Sequence, residues 1–299
     1  MKISIIGNCQ AQVIQKIIKL STGEDFDVPI IKPVHMLSPE DLHLLHNDVS
    51  TSNILITQLI SDNYRGFKIG TNQLRKLLPL GAKCLIIPNI HWEGYFPSLT
   101  YLKDDHGQHV SPRNARYSMF MHDYHDSIVV ASRLLNIPYD RLSIFYDKAD
   151  YFYDWVIFNL EYSFKQLKDR ETNCDIKVSD YIFDNYKYQQ QFWSFNHPCN
   201  LLLEYFLGEI FKKIGLDGYH LNLNGREFLK DFVFPIFPFV IKGLKINFEP
   251  SNFILKGRKM NYNEFLLNSW IGYEKNPKIV YLNSSNEKVL RAMKYIKKI

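Results

Sequence analysis

The sequence predicts an α/β protein with a parallel sheet covered on both faces. Two observations predict it. Short apolar runs alternate with helical patterns through the first 90 residues, at a spacing that suits crossover connections. After Pro88 the pattern changes to a long polar and aromatic stretch followed by a series of helices.

In chain order, Ile3 to Ile6 reads as a buried strand. Gln10 to Leu20 reads as a helix with Val13, Ile14, Ile17 and Ile18 on one face. Val28 to Val34 is a second extended run, weakened by Pro29 and Pro33. Ser38-Pro39-Glu40-Asp41 has the cap, the early proline and the acids of a helix start. Asn53 to Thr57 is a third strand, Thr71 to Leu78 a helix, and Lys83 to Ile87 a fourth strand. Residues 88–118 have the length of a functional loop. Helical patterns follow near 124–135, 149–169, 178–190 and 199–214. Phe232 to Phe248 reads as a hairpin or two extended runs, and helices near 262–271 and 284–297 finish the chain. No linker rich in Gly, Ser or Pro marks a boundary. One composite domain over 1–299 is expected: an α/β core at 1–90, a loop-and-helix region at 91–228, and a β-hairpin and helix extension at 229–299.

Composition narrows the classes. At 299 residues, with 46% hydrophobic and 22% charged residues, the chain can bury a sizeable core and is not a disordered one. No apolar run approaches the roughly 20 residues of a membrane-spanning helix. The start, Met1 to Gly7, is too short for a signal peptide. A place in the cytoplasm, or on the inner face of the membrane, is expected. The four cysteines, Cys9, Cys84, Cys174 and Cys199, have no Cys-x-x-Cys spacing, which suits free thiols in a reducing compartment. The net charge of +5 comes without a basic arm or a helix-turn-helix pattern, so nucleic acid is not expected, and a small anionic ligand fits this charge as well as a polymer does.

Gly7-Asn8-Cys9-Gln10 lies where the first strand gives way to the first helix, and ligands of open α/β sheets bind at such carboxyl ends. Asn8 suits the helix cap. Cys9 then sits in the first turn, where free N–H groups and the helix dipole favour a thiolate. The same N–H groups, those of Cys9 and Gln10, suit an oxyanion. The alternative is a small buried cysteine in a turn. A thiol nucleophile needs a base, and His197, in the loop before the 199–214 helix, is the best placed of ten histidines. Gln58 directly follows the third strand and Asn89 follows the fourth, where side-chain amides can donate to an oxyanion or tie down their own turns. Beyond Gln58, Tyr64, Arg65 and Lys68 are candidates for gripping the phosphates of a nucleotide-containing cofactor, or solvated loop residues. No phosphate-binding Gly-Lys-Ser loop or Gly-x-Gly-x-x-Gly is present. His106, His109, His122, Asp123, His125 and Asp126 lack a recognised ligand spacing, so no metal is expected. His125 and Asp126 are candidates for an active-site loop or for capping the next helix. Trp92, Tyr95, Phe96 and Tyr101 suit stacking on sugar rings, or core packing.

These blocks resemble a known family. Gly7-Asn8-Cys9-Gln10-Ala11, Gln58 with Tyr64-Arg65-Gly66, Asn89 with Gly94-Tyr95-Phe96-Pro97, Tyr124-His125-Asp126 and Asn196-His197-Pro198 occur in the order found in WcbI-type capsular polysaccharide biosynthesis proteins. The resemblance implies a three-layer α/β/α, SGNH-hydrolase-like fold, with Cys9 where the SGNH serine stands. It also implies coenzyme A binding and acetyl transfer from acetyl-coenzyme A to a capsule sugar. With the reading of the residues above, the expected site set is Cys9 and His197 for catalysis, Gln10, Gln58 and Asn89 for the oxyanion, Asn8, Tyr64, Arg65 and Lys68 for the donor, and Trp92, Tyr95, His125 and Asp126 for the sugar. One departure is that Ser194 stands where SGNH enzymes place the acid that orients the histidine. Acyl-enzyme and ternary mechanisms both stay open, as do a glycan ester hydrolase and a non-catalytic component of capsule assembly. The last helix, Glu287 to Ile299, carries an apolar stripe with lysines beside it. It suits packing on the domain, or a peripheral contact with anionic membrane if the acceptor is lipid-linked.

Overall fold

Every residue of the first strand, Ile3–Ile6 (β1), is buried in the computed structural model, which describes residues 1–147, 149–255 and 257–298. The chain then enters helix Cys9–Thr22 (α1), whose Val13, Ile14, Ile17 and Ile18 are buried as their spacing requires. Helix Asp41–Ser50 (α2), strand Ile54–Gln58 (β2), helix Thr71–Arg75 (α3) and strand Lys83–Ile87 (β3) follow. The three strands form one parallel sheet in the order β1-β2-β3, with Ile5 beside Ile56 and Ile56 beside Leu85. Their carboxyl ends therefore share one rim, which carries Gly7, Gln58 and Pro88.

The extended run at 28–34 does not become a strand. Only a bridge between Lys2 and Asp27 remains, and the segment closes in a 3-10 turn, Val34–Met36. Pro29 and Pro33 have no N–H to give a ladder. Gln15 takes the place of a neighbouring strand: its amide receives the Ile31 N–H at 3.3 Å and donates to the Ile31 carbonyl at 3.2 Å. Ile31 and Val34 still enter the core with Ile6, Leu45, Leu55 and Leu74.

The described residues fall into two compact units. The first comprises residues 1–91, 165–184 and 196–229; the second holds the rest. Because each unit is assembled from three separate stretches, no single linker separates them in the sequence. In the first unit, Asp175 guards the outer edge of β3 by accepting the Ile86 N–H at 2.6 Å and donating its own N–H to the Ile86 carbonyl at 2.8 Å. Helix Asn200–Ile214 buries Leu202, Leu203, Phe206 and Leu207 and ends at Gly215 with φ 82°.

The second unit is built around helix Ser127–Leu134, which is buried from Ser127 to Ser132. Helices Tyr262–Lys275, Pro277–Leu282 and Glu287–Ile296 all pack on it. The hairpin expected at 232–248 is corrected: Phe232–Val233 is a strand, but Pro238 opens helix Pro238–Leu244. The hairpin forms instead from Phe253–Leu255 and Arg258–Met260, with Phe232–Val233 as the third strand. Tyr139–Asp147 and Pro277–Leu282 are helices that periodicity did not reveal. The last helix buries Val289, Ala292 and Ile296; its expected end, Ile299, lies outside the described residues. Among the described residues, no helix is long and apolar enough to cross a membrane.

Candidate functional site

Asn8 caps α1, its Oδ1 accepting the Gln10 N–H at 2.9 Å, so Cys9 is the first helical residue and lies half-buried in the opening turn. Gln58, at the end of β2, closes over this turn. Its Oε1 accepts the Asn8 N–H at 2.9 Å, and its Nε2 donates to Asn8 Oδ1 at 3.2 Å and to Gln10 Oε1 at 3.3 Å. Gly7 is required here by close approach: a Cβ would fall 2.6 Å from Gln58 Oε1.

The buried side chain of Gln10 joins three segments. Its Nε2 donates to the carbonyls of Ile90 at 2.6 Å and Asn196 at 2.8 Å, and its Oε1 accepts the Ile90 N–H at 3.1 Å. Asn89 and His197 are each one residue from an atom bonded by this single amide, and Cys9 adjoins Gln10 itself. Asn89 is further fixed by Asn8, whose Nδ2 donates to Asn89 Oδ1 at 2.9 Å. Sequence reasoning singled out the Gln10 backbone and missed its side chain. The signal was present: Gln10 stands three and four residues before Val13 and Ile14, on the buried face of α1.

The expected oxyanion donors are differently engaged. The Gln10 N–H and both Gln58 amide hydrogens are used within the turn, so these groups hold the geometry. Asn89 is exposed, and with its Oδ1 engaged it keeps an amide NH2 to offer.

Tyr64–Gly66 forms a 3-10 turn in which Arg65 takes φ 53°. Arg65 Nη1 donates to the His35 carbonyl, and the preceding Val34 N–H donates to the Gly7 carbonyl at 2.9 Å. The guanidinium is thus tied to the turn that abuts Gly7. Lys68 is exposed and its carbonyl receives His46 Nε2 at 3.0 Å, while Tyr64 packs against the core.

The expected sugar-binding group is enclosed by protein. All four of its residues lie in the second unit and are buried. Trp92 is fully enclosed, with Tyr95, Phe164 and Phe192 rings at 4.8, 5.3 and 5.5 Å. The Tyr95 hydroxyl donates to the Tyr186 carbonyl at 2.6 Å. Asp126 caps helix Ser127–Leu134 through the N–H groups of Ile128 and Val129, and also accepts Ser98 and Tyr146 hydroxyls at 2.6 and 2.7 Å. Burial raises its carboxyl above the usual range, against these hydrogen bonds. His125 donates Nε2–H to the Val110 carbonyl at 3.1 Å, which leaves Nδ1 to accept the Tyr273 hydroxyl at 2.8 Å. Burial lowers its pKa to about 4, so the ring is neutral.

Burial works against the thiolate at the other cysteines. Burial raises Cys84, and burial with Glu171 and Asp175 raises Cys174 to about 11; Cys199 is buried.

Comparison with known proteins places these observations. The family model described as polysaccharide biosynthesis enzyme WcbI matches residues 2–219. A solved structure described as WcbI, a novel polysaccharide biosynthesis enzyme, in native form without a disulfide bond between coenzyme A and one of its cysteines, is 18% identical. The match covers 98% of each chain with a TM-score of 0.81. At that identity the likeness is one of fold. No curated protein matches the chain.

Proposed function

The chain belongs to the WcbI family of polysaccharide biosynthesis enzymes, and on that footing we propose that it transfers acetyl from acetyl-coenzyme A to a hydroxyl of a capsular or other surface polysaccharide sugar. One observation carries the reading: the Gln10 amide fixes the neighbours of a thiol, an amide donor and an imidazole to one rim of the sheet. The coenzyme A named with the solved WcbI structure supports the donor. The β1–α1 turn is read as an SGNH-type nucleophile turn with thiol in place of hydroxyl.

In this mechanism Cys9 Sγ attacks the thioester carbonyl and gives its proton to His197. The oxyanion takes hydrogen bonds from Asn89 Nδ2. The intermediate collapses, and coenzyme A leaves with the proton from His197. A sugar hydroxyl then gives its proton to His197 as its oxygen attacks acetyl-Cys9, and Cys9 departs as the thiol by taking that proton back. Arg65, with Lys68, supplies positive charge for the donor's phosphates.

Incubation with acetyl-coenzyme A and no acceptor, followed by peptide mass spectrometry, tests this. One acetyl group on Cys9, discharged by an oligosaccharide acceptor, is expected. Turnover without acetyl-Cys9 means a ternary mechanism, release of free acetate alone means a hydrolase, and no turnover means a non-catalytic role.

A further inference from the structure

Charge is distributed unevenly along this chain. Residues 251–299 hold ten lysines and arginines against three glutamates, a net +7, so the 250 residues before them carry −2 of the total +5. The three glutamates, Glu264, Glu274 and Glu287, are each paired with an arginine, at 3.4, 3.6 and 2.7 Å. Among the described residues, Lys275, Lys294 and Lys297 have no carboxylate within ion-pair distance, and all are exposed.

Exposed apolar side chains stand among these lysines. On helix Tyr262–Lys275, Leu267 and Ile271 precede Lys275 at four-residue spacing, which puts all three on one outward stripe. On helix Pro277–Leu282, Tyr281 and Leu282 are exposed, while Lys278 of the same helix is engaged by Asp105 at 2.6 Å. On helix Glu287–Ile296, exposed Leu290 precedes Lys294 by four residues and Lys297 by seven, while Val289, Ala292 and Ile296 face inward.

We propose that these outward stripes form a peripheral docking surface for an anionic lipid bilayer. A surface with lysines at the headgroup phosphates and Leu, Ile and Tyr side chains at the acyl boundary matches this composition. Nucleic acid fits it less well. The arginines that would fork onto phosphates, Arg258 and Arg291, are engaged by Glu264 and Glu287, and five exposed apolar groups have no use on a phosphate backbone. Lys288 adds nothing to the surface, since it bonds Glu93 at 2.7 Å and the Leu99 carbonyl at 2.7 Å.

Co-sedimentation of the full chain with phosphatidylglycerol–phosphatidylcholine vesicles tests the proposal, with pure phosphatidylcholine vesicles and duplex DNA as comparisons. Binding to the anionic vesicles at low salt, released at high salt, is expected. A variant carrying Lys275→Gln, Lys294→Gln and Lys297→Gln should partition roughly 100-fold less, at about fivefold per lysine near such a surface. Tyr281→Ser with Leu290→Ser should weaken binding without altering its salt dependence. All five positions are exposed, so thermal melting should stay unchanged. Equal binding to neutral vesicles, full binding by the lysine variant, or retention by DNA with no vesicle partitioning overturns the proposal. No readout involves acetyl transfer, so the outcome is independent of the transferase reading.

Discussion

Asn8, Gln10, Gln58 and Asn89 in the first unit, and Trp92, Tyr95, His125 and Asp126 in the second, are singled out by the same sequence reasoning, yet the fold uses them differently. The first four stand at strand ends, and their amides bond one another and backbone groups around Cys9, with Asn89 left exposed. The second four are sealed in an interior of edge-on and tilted aromatic rings, with the polar groups of Tyr95, His125 and Asp126 bonded internally. A polar residue at the carboxyl rim of a parallel sheet stands where ligands of such sheets bind. The same residue type deep in a helical unit is placed for packing. Variants of the first unit should therefore change turnover, and variants of the second should change stability.

The largest contrast is expected from Cys9→Ala. Acetyl transfer should fall at least about 1,000-fold, roughly 4 kcal/mol of transition-state stabilisation, while the melting temperature barely moves. A steady-state assay beside a thermal melt checks both halves. Trp92→Ala should do the reverse, costing about 3–5 kcal/mol in chemical denaturation and leaving the acceptor KM of the folded protein unaltered. A raised KM would restore Trp92 to the sugar site.

His125 sharpens the contrast through pH. Its folded pKa of about 4 lies below the ordinary 6.5, chiefly because of burial. The folded state therefore binds this proton less well than the unfolded state. Its contribution is complete above pH 6.5 and is lost as pH falls toward 4, about 3 kcal/mol in all. Urea denaturation between pH 7 and 4 should show this slope, and His125→Gln should flatten it. The smallest effect expected is that of Arg65→Ala, which should weaken coenzyme A binding by roughly 1.5–3 kcal/mol in calorimetry. Unchanged affinity would leave Arg65 as only the tie to His35.

The parallel strands were legible because runs such as Ile3–Ile6 and Lys83–Ile87 are short, branched and bounded by turn residues. The run at 28–34 misled because apolar content signals burial, whereas a strand also needs N–H donors, which Pro29 and Pro33 lack. The same holds near Pro235 and Pro238, where one proline starts a helix. In the site, position at a strand end revealed Gln58 and Asn89, although it could not tell a donor to ligand from a donor to Asn8. His125 and Asp126 were ambiguous because their partners, Tyr273, Val110, Ser98 and Tyr146, lie elsewhere in the sequence.

The Gln10 joint also has a consequence for synthesis. One of its carbonyl partners, Asn196, lies 186 residues downstream. At ribosomal speeds of about 5–20 residues per second, roughly 10–40 s separate the emergence of the two. Over much of that interval the nascent sheet also lacks Asp175, so the outer edge of β3 lies bare, a ready template for pairing with another chain. Ribosomal products that stop before Asp175 would expose that edge without ever acquiring His197, the base of the proposed mechanism, and so would burden chaperones.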